Sequence, residues 1–155
     1  MRIYLTVLIF VITAYASQAM SKEKQYSISV GLGPIYNGLG IGFRTPLNKM
    51  NQYISLGCQS LGYGSHSGWL YRCGVGYSVV ANLTKSKQHS LGLNVDILYN
   101  GMSQESGMEY LAGIFYTYFF NAADSEGWNM QIGPGVSYFH SNFTPVSFFG
   151  VGYQY

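Results

Sequence analysis

A histidine beside a serine is the pairing from which nucleophilic catalysis is commonly built, and this chain holds three: His66-Ser67, His89-Ser90 and His140-Ser141. In such a pair the histidine takes the serine proton, which needs both side chains within hydrogen-bond reach and a third group to orient the imidazole. Adjacent residues of an extended chain point to opposite faces, so His140 and Ser141 meet only if the backbone bends between them. No Asp or Glu follows Ser141, which leaves Glu105 or Glu109 to orient His140. The dipeptide's recurrence favours ordinary polar loop residues over a catalytic pair.

Cys58 and Cys73 are the only cysteines. In an oxidising compartment they form one disulfide; otherwise they are two inert thiols or, with His66, a metal site that lacks the ligand spacing of familiar centres. Charged residues make up only 9% of the chain against 17% aromatic, with 15 Tyr and 20 Gly. Soluble globular domains carry about a quarter charged residues, so part of this surface requires a non-aqueous neighbour. The net charge of +2 with no basic cluster argues against a nucleic-acid partner, and no motif calls for a cofactor or metal.

The elements that must position these residues are strands. Between Gln25 and Tyr155 the chain shows eight alternating segments, near 25–33, 38–45, 52–60, 69–80, 89–99, 109–121, 128–139 and 146–155. Each suits a tilted strand crossing a bilayer, which takes about 9–11 residues. Tyr26, Ile28, Val30 and Leu32 alternate with Ser27, Ser29, Gly31 and Gly33; Leu91, Leu93, Val95 and Ile97 alternate with Gly92, Asn94 and Asp96. The second set is too small and too sparsely charged for a solvated face, but it suits the narrow interior of a closed antiparallel eight-stranded transmembrane barrel, with the oily set outward.

Antiparallel pairing matches oily residues with oily ones: Ile28 with Phe43, Val30 with Ile41, Leu32 with Leu39, then Ile54 with Tyr77 and Leu56 with Val75. That second register sets Cys58 opposite Cys73, where a disulfide would contribute about 3 kcal/mol by loop entropy. Arg44, Arg72 and Asp96 fall on the inward parity, and Arg72 with Asp96 form the expected interior ion pair. Pro134 inside the seventh strand predicts a bulge or kink. Connections near 34–37, 61–68, 100–108 and 140–145 lie at the outer end, and turns near 46–51, 81–88 and 122–127 lie at the inner end with both termini.

The chain ends supply the address. Met1-Arg2, the apolar run Ile3 to Ile12 and Ser17-Gln18-Ala19 read as a signal peptide over residues 1–19, with cleavage after Ala16 a second option. The run is shorter than the roughly 20 apolar residues of a spanning helix, so residues 20–155 form one barrel domain. Gly150, Tyr153 and Tyr155 resemble the C-terminal assembly signal of bacterial outer-membrane β-barrels, with Phe148 where that signal usually has a polar residue. The mature chain as a whole resembles the small eight-stranded barrels of the Gram-negative outer membrane. The resemblance implies residence there, contact with outer-membrane lipid and lipopolysaccharide, insertion by the barrel-assembly machinery, and a structural or surface-interaction role. Phe139-His140-Ser141-Asn142 resembles the His-x-Ser-Asn element of the lipid A deacylases, which implies a lipid A-modifying acyl hydrolase as the alternative. A secreted soluble β-barrel binding a small apolar ligand is the third reading, distinguished by oily residues facing inward.

Overall fold

The computed structural model describes residues 26–47, 50–64, 68–101 and 106–155, and within these no side chains of residues 60–70. The expected signal peptide, His66-Ser67 and Glu105 lie outside the described residues. Eight strands succeed one another: β1 (Ser27–Gly33), β2 (Gly38–Leu47), β3 (Met50–Gly64), β4 (Gly68–Asn82), β5 (His89–Asn100), β6 (Gly107–Phe119), β7 (Gly127–Phe139) and β8 (Asn142–Gln154). All neighbours pair antiparallel and β8 returns to β1, giving a closed all-β barrel. Both described ends of the chain lie at one end of it, since Ser29 faces Gln154.

The alternation sorts the side chains as the sequence predicts. Leu91, Leu93, Val95, Ile97 and Tyr99 are exposed on the outer face of β5, while Ser90, Asn94, Asp96, Leu98 and Asn100 are buried in the lumen. An eight-stranded barrel is just wide enough for its own side chains, so the inward positions must be small or mutually bonded. The expected registers of β1 with β2 and of β3 with β4 hold pair for pair. Cys58 and Cys73 are opposite and bonded, with a Cα separation of 3.9 Å. A bulge follows directly, so that Ser60 rather than Gln59 faces Arg72.

The connection between β1 and β2 differs from expectation. Pro34–Tyr36 form a single 3₁₀ turn that folds into the lumen, with Ile35 and Tyr36 almost wholly buried. Gly33 (φ 129°) and Gly38 (φ 86°) bracket it in backbone conformations that a side chain would strain. The Tyr36 ring fills the space that Cβ atoms at Gly31 and Gly152 would need, so glycine there makes room for the plug. Local sequence shows a polar turn signal at these residues; only the glycine column across the barrel reveals where the turn goes.

Three further expectations need correcting. The predicted outer loop at 140–145 is a two-residue turn, and β8 starts at Asn142, because Thr144 and Pro145 remain in the ladder opposite Ser137 and Val136. Pro134 causes no register slip: the β6–β7 ladder lapses between the Gly113–Gly135 and Tyr116–Ile132 pairs and then resumes. The ion pair of Arg72 with Asp96 does not form. β4 and β5 pair with Val75 opposite Ile97, Tyr77 opposite Val95 and Val79 opposite Leu93, which sets Arg72 opposite Asn100 and Asp96 opposite Gly76. That register also matches oily with oily, and it gives the Asp96 carboxylate the room left by a glycine.

Tyr36 carries the plug's anchoring hydroxyl, so Tyr36→Phe should lower the unfolding free energy by about 1–2 kcal/mol through the partner left unsatisfied. Tyr36→Ala should lower it by about 3–5 kcal/mol through the cavity as well; urea titration of refolded protein measures both. Cys73→Ser should still form the barrel, with a loss of about 3 kcal/mol or less. Thiol counting on unreduced, denatured wild type should find no free thiol.

Candidate functional site

The lumen is filled in two layers. In the inner layer Tyr36 Oη donates to Asn129 Oδ1 at 3.0 Å, Gln131 Nε2 donates to the same oxygen at 2.7 Å, and the Ile35 amide donates to Gln131 Oε1 at 3.2 Å. Below them Tyr53 Oη donates to Gln154 Oε1, and Gln154 Nε2 reaches the carbonyls of Ala123 and Ser125. The turn between β6 and β7 thus folds under the barrel, burying Ala123 against Phe119, Val80 and Tyr53. Arg44, also inward, bonds Ser27 and Asn51 through Nε and Nη1. These groups occupy the bore, so this layer is a network that rigidifies the wall.

Nearer the outer end, Arg72 on β4 reaches across β5 to Glu109 on β6 in a bidentate pair, and Ser137 Oγ donates to the same carboxylate. Glu109 is the partner that sequence reasoning missed for Arg72. Its inward parity in the sixth strand was the available signal, but it read there as an acid for His140. Asp96, fully buried, keeps only a neighbour's amide: Asn94 Nδ2 donates to Oδ2 at 3.0 Å, and Oδ1 has no hydrogen-bond partner among the described residues.

His140 and Ser141 form the tip of the β7–β8 hairpin. Their φ angles of 48° and 67° are both left-handed, as the central residues of a primed two-residue turn require. Both are exposed, and the His140 ring stacks on Phe139 with centroids 4.1 Å apart. Asn142 Nδ2 donates to the His140 carbonyl, closing the turn. The two residues are brought together by the chain, yet the structure gives this tip a turn's geometry, and Glu109 is committed to Arg72 and Ser137.

The outer face carries the most ordered pattern. Near the inner end Tyr26, Phe120, Trp128 and Tyr155 stand out, with Tyr153 between Trp128 and Tyr155 at centroid distances of 5.3 and 4.8 Å. Near the outer end Tyr71, Tyr99, Tyr110, Tyr138 and Phe143 form a second exposed group. Between them the outward residues are mostly aliphatic, among them Val30, Ile41, Leu56, Val95, Ile114 and Ile132, with Phe43, Tyr77 and Phe149 in the same belt. Gly150, Tyr153 and Tyr155 lie at the closing seam: Tyr153 faces Val30, and the Tyr155 amide donates to the Ile28 carbonyl.

Compared with family models, curated proteins and solved structures, the chain finds no match.

Breaking the outer lumen pair should be costly, because Glu109 is almost wholly buried. Glu109→Gln is expected to lower stability by about 2–3 kcal/mol, and the joint replacement Arg72→Met with Glu109→Leu should recover most of it. Equilibrium unfolding of the wild type and the two variants checks the order.

Proposed function

We propose that this barrel spans the outer membrane of a Gram-negative bacterium, as the mature product of an exported chain, with a structural or surface-interaction role. The observation that carries the reading is the outward face: a mostly aliphatic, uncharged band held between two aromatic groups, with Arg44, Arg72, Asp96 and Glu109 all turned inward. Bare aliphatic side chains cost free energy in water and none in hydrocarbon, while aromatic rings with a polar edge favour the two interfaces. The reading also suits the two turns at the inner end, bridged by Lys87 and Asp124, and the side chains buried in the bore above them. A soluble ligand-binding barrel would need the opposite arrangement, with the oily set inside.

Two experiments test it. Val95→Arg, at a position 55% exposed in the aliphatic band, should destabilise the vesicle-inserted barrel by about 2–4 kcal/mol. An unchanged unfolding midpoint would remove the membrane reading. For the hydrolase alternative, the joint change His140→Asn and Ser141→Gly installs the residues that a primed turn prefers and should stabilise the hairpin by about 1 kcal/mol. Lipid A from cells carrying that variant should match wild type by mass spectrometry; restored acyl chains would establish hydrolase activity instead.

A further inference from the structure

Among the described residues the wall of the barrel is incomplete on one side. β1 pairs with β8 only from Ser29–Gln154 to Leu32–Val151, and then turns inward at Gly33. β2 starts at Gly38 and meets β3 no higher than Leu39–Cys58. The flanking strands continue: β8 rises from Gly150 to Asn142 with no β1 neighbour, and β3 rises from Gln59 to Gly64 with no β2 neighbour. At a strand spacing of about 4.8 Å, removing two strands leaves roughly 14 Å between β8 and β3. At the inner end all the strands finish nearly level, so the missing wall is confined to the outer half.

The depth of the gap follows from its edge. Phe143 at the top of β8 pairs with Tyr138 and belongs to the outer aromatic group, whereas Phe149 faces Ile132 in the aliphatic band. The gap therefore opens sideways at the level of that band. Behind it Val146 and Phe148 of β8 point inward and are only half-buried, with the Phe148 ring lying over Gly113 and Gly135, while the Arg72–Glu109–Ser137 cluster lies higher, where Ser137 pairs with Thr144. Thr144, also of inward parity, is exposed.

A strand edge at this depth invites a partner strand, and β8 is built against one. Tyr155 donates its amide to Ile28 of β1, so by alternation the odd-numbered residues of β8 aim N–H and C=O at the β1 side. Pro145 shares that parity, and its missing N–H faces the gap. Proline at a free edge is a recognised block to strand addition. What fits is a flexible apolar chain whose ester carbonyl, at its outer end, accepts a hydrogen bond from the edge amide of Phe143, which shares this parity.

We propose that the gap between β8 and β3 holds one acyl chain of an outer-leaflet lipid, which replaces the missing outer half of β1 and β2 and touches Val146 and Phe148. The inference rests on the membrane reading above. It is tested with wild-type protein inserted into phosphatidylcholine vesicles doped with a phosphatidylcholine that carries a photoreactive diazirine in one acyl chain. After illumination, peptide mass spectrometry should find adducts on inward-facing Val146 and Phe148 as well as on outward-facing Val95 and Ile132. Inward-facing Phe115 and Leu98, which sit behind closed wall, should carry none. Labelling of Val95 and Ile132 without Val146 or Phe148 overturns the gap proposal while leaving the membrane reading standing. A dimer by sedimentation in detergent, with no lipid adduct on Val146 or Phe148, would overturn it in favour of a second copy. Absence of label on Val95 and Ile132 overturns the membrane reading itself, and adducts spread equally onto Phe115 and Leu98 overturn entry through the gap.

Discussion

The bore of an eight-stranded barrel is the constraint on which everything else depends. Each strand sends alternate residues inward, and the interior has room for only a few full-sized side chains. Inward positions are therefore glycine, serine and asparagine wherever a large group such as Tyr36, Tyr53, Phe115 or Phe148 lies opposite. The polar groups that enter bond one another across the lumen, as Tyr36, Asn129 and Gln131 do, because water cannot reach them cheaply. Once a few apolar side chains such as Ile35, Leu98 and Phe115 have filled the bore, the rest have nowhere to go but out. One geometrical limit thus yields a filled interior and an oily exterior together, and an oily exterior is the physical basis for reading a membrane as the surrounding solvent.

The same limit accounts for the asymmetry of the wall. A connection that folds into so narrow a lumen has to leave the ladder early, so the inward turn at Pro34–Tyr36 and the short β1 and β2 are one event. The turn seals the inner layer and at the same time shortens the wall above it. The strands beside the gap are stabilised from elsewhere: β3 and β4 by the Cys58–Cys73 bond and a long shared ladder, β8 by its full-length pairing with β7.

Period-two alternation made the fold legible, because inward and outward sets differ so sharply in size and polarity. Registers were legible where a second marker agreed with the oily pairs, as Cys58 and Cys73 did for β3 and β4. They were not where two registers were equally oily. Between β4 and β5 the choice depended on whether Arg72 or Gly76 faced Asp96, a question of interior volume that no single strand reveals. Glu109 was misread because its partner Arg72 is two strands away, across the lumen. The start of β8 was misread because Thr144 and Pro145 look like a loop; proline is tolerated there only because β1 is absent beside it. Of the candidate site, the disulfide and the inward charges were visible, and the plug was not.

The central claim is that the outward aliphatic band lies in lipid. Membranes from cells producing the full chain, separated by density and then washed with alkaline carbonate, test it most directly. The account predicts that the protein travels with the outer-membrane fraction and stays in the pellet after the wash. Recovery in the soluble fraction, or release by carbonate, would contradict it.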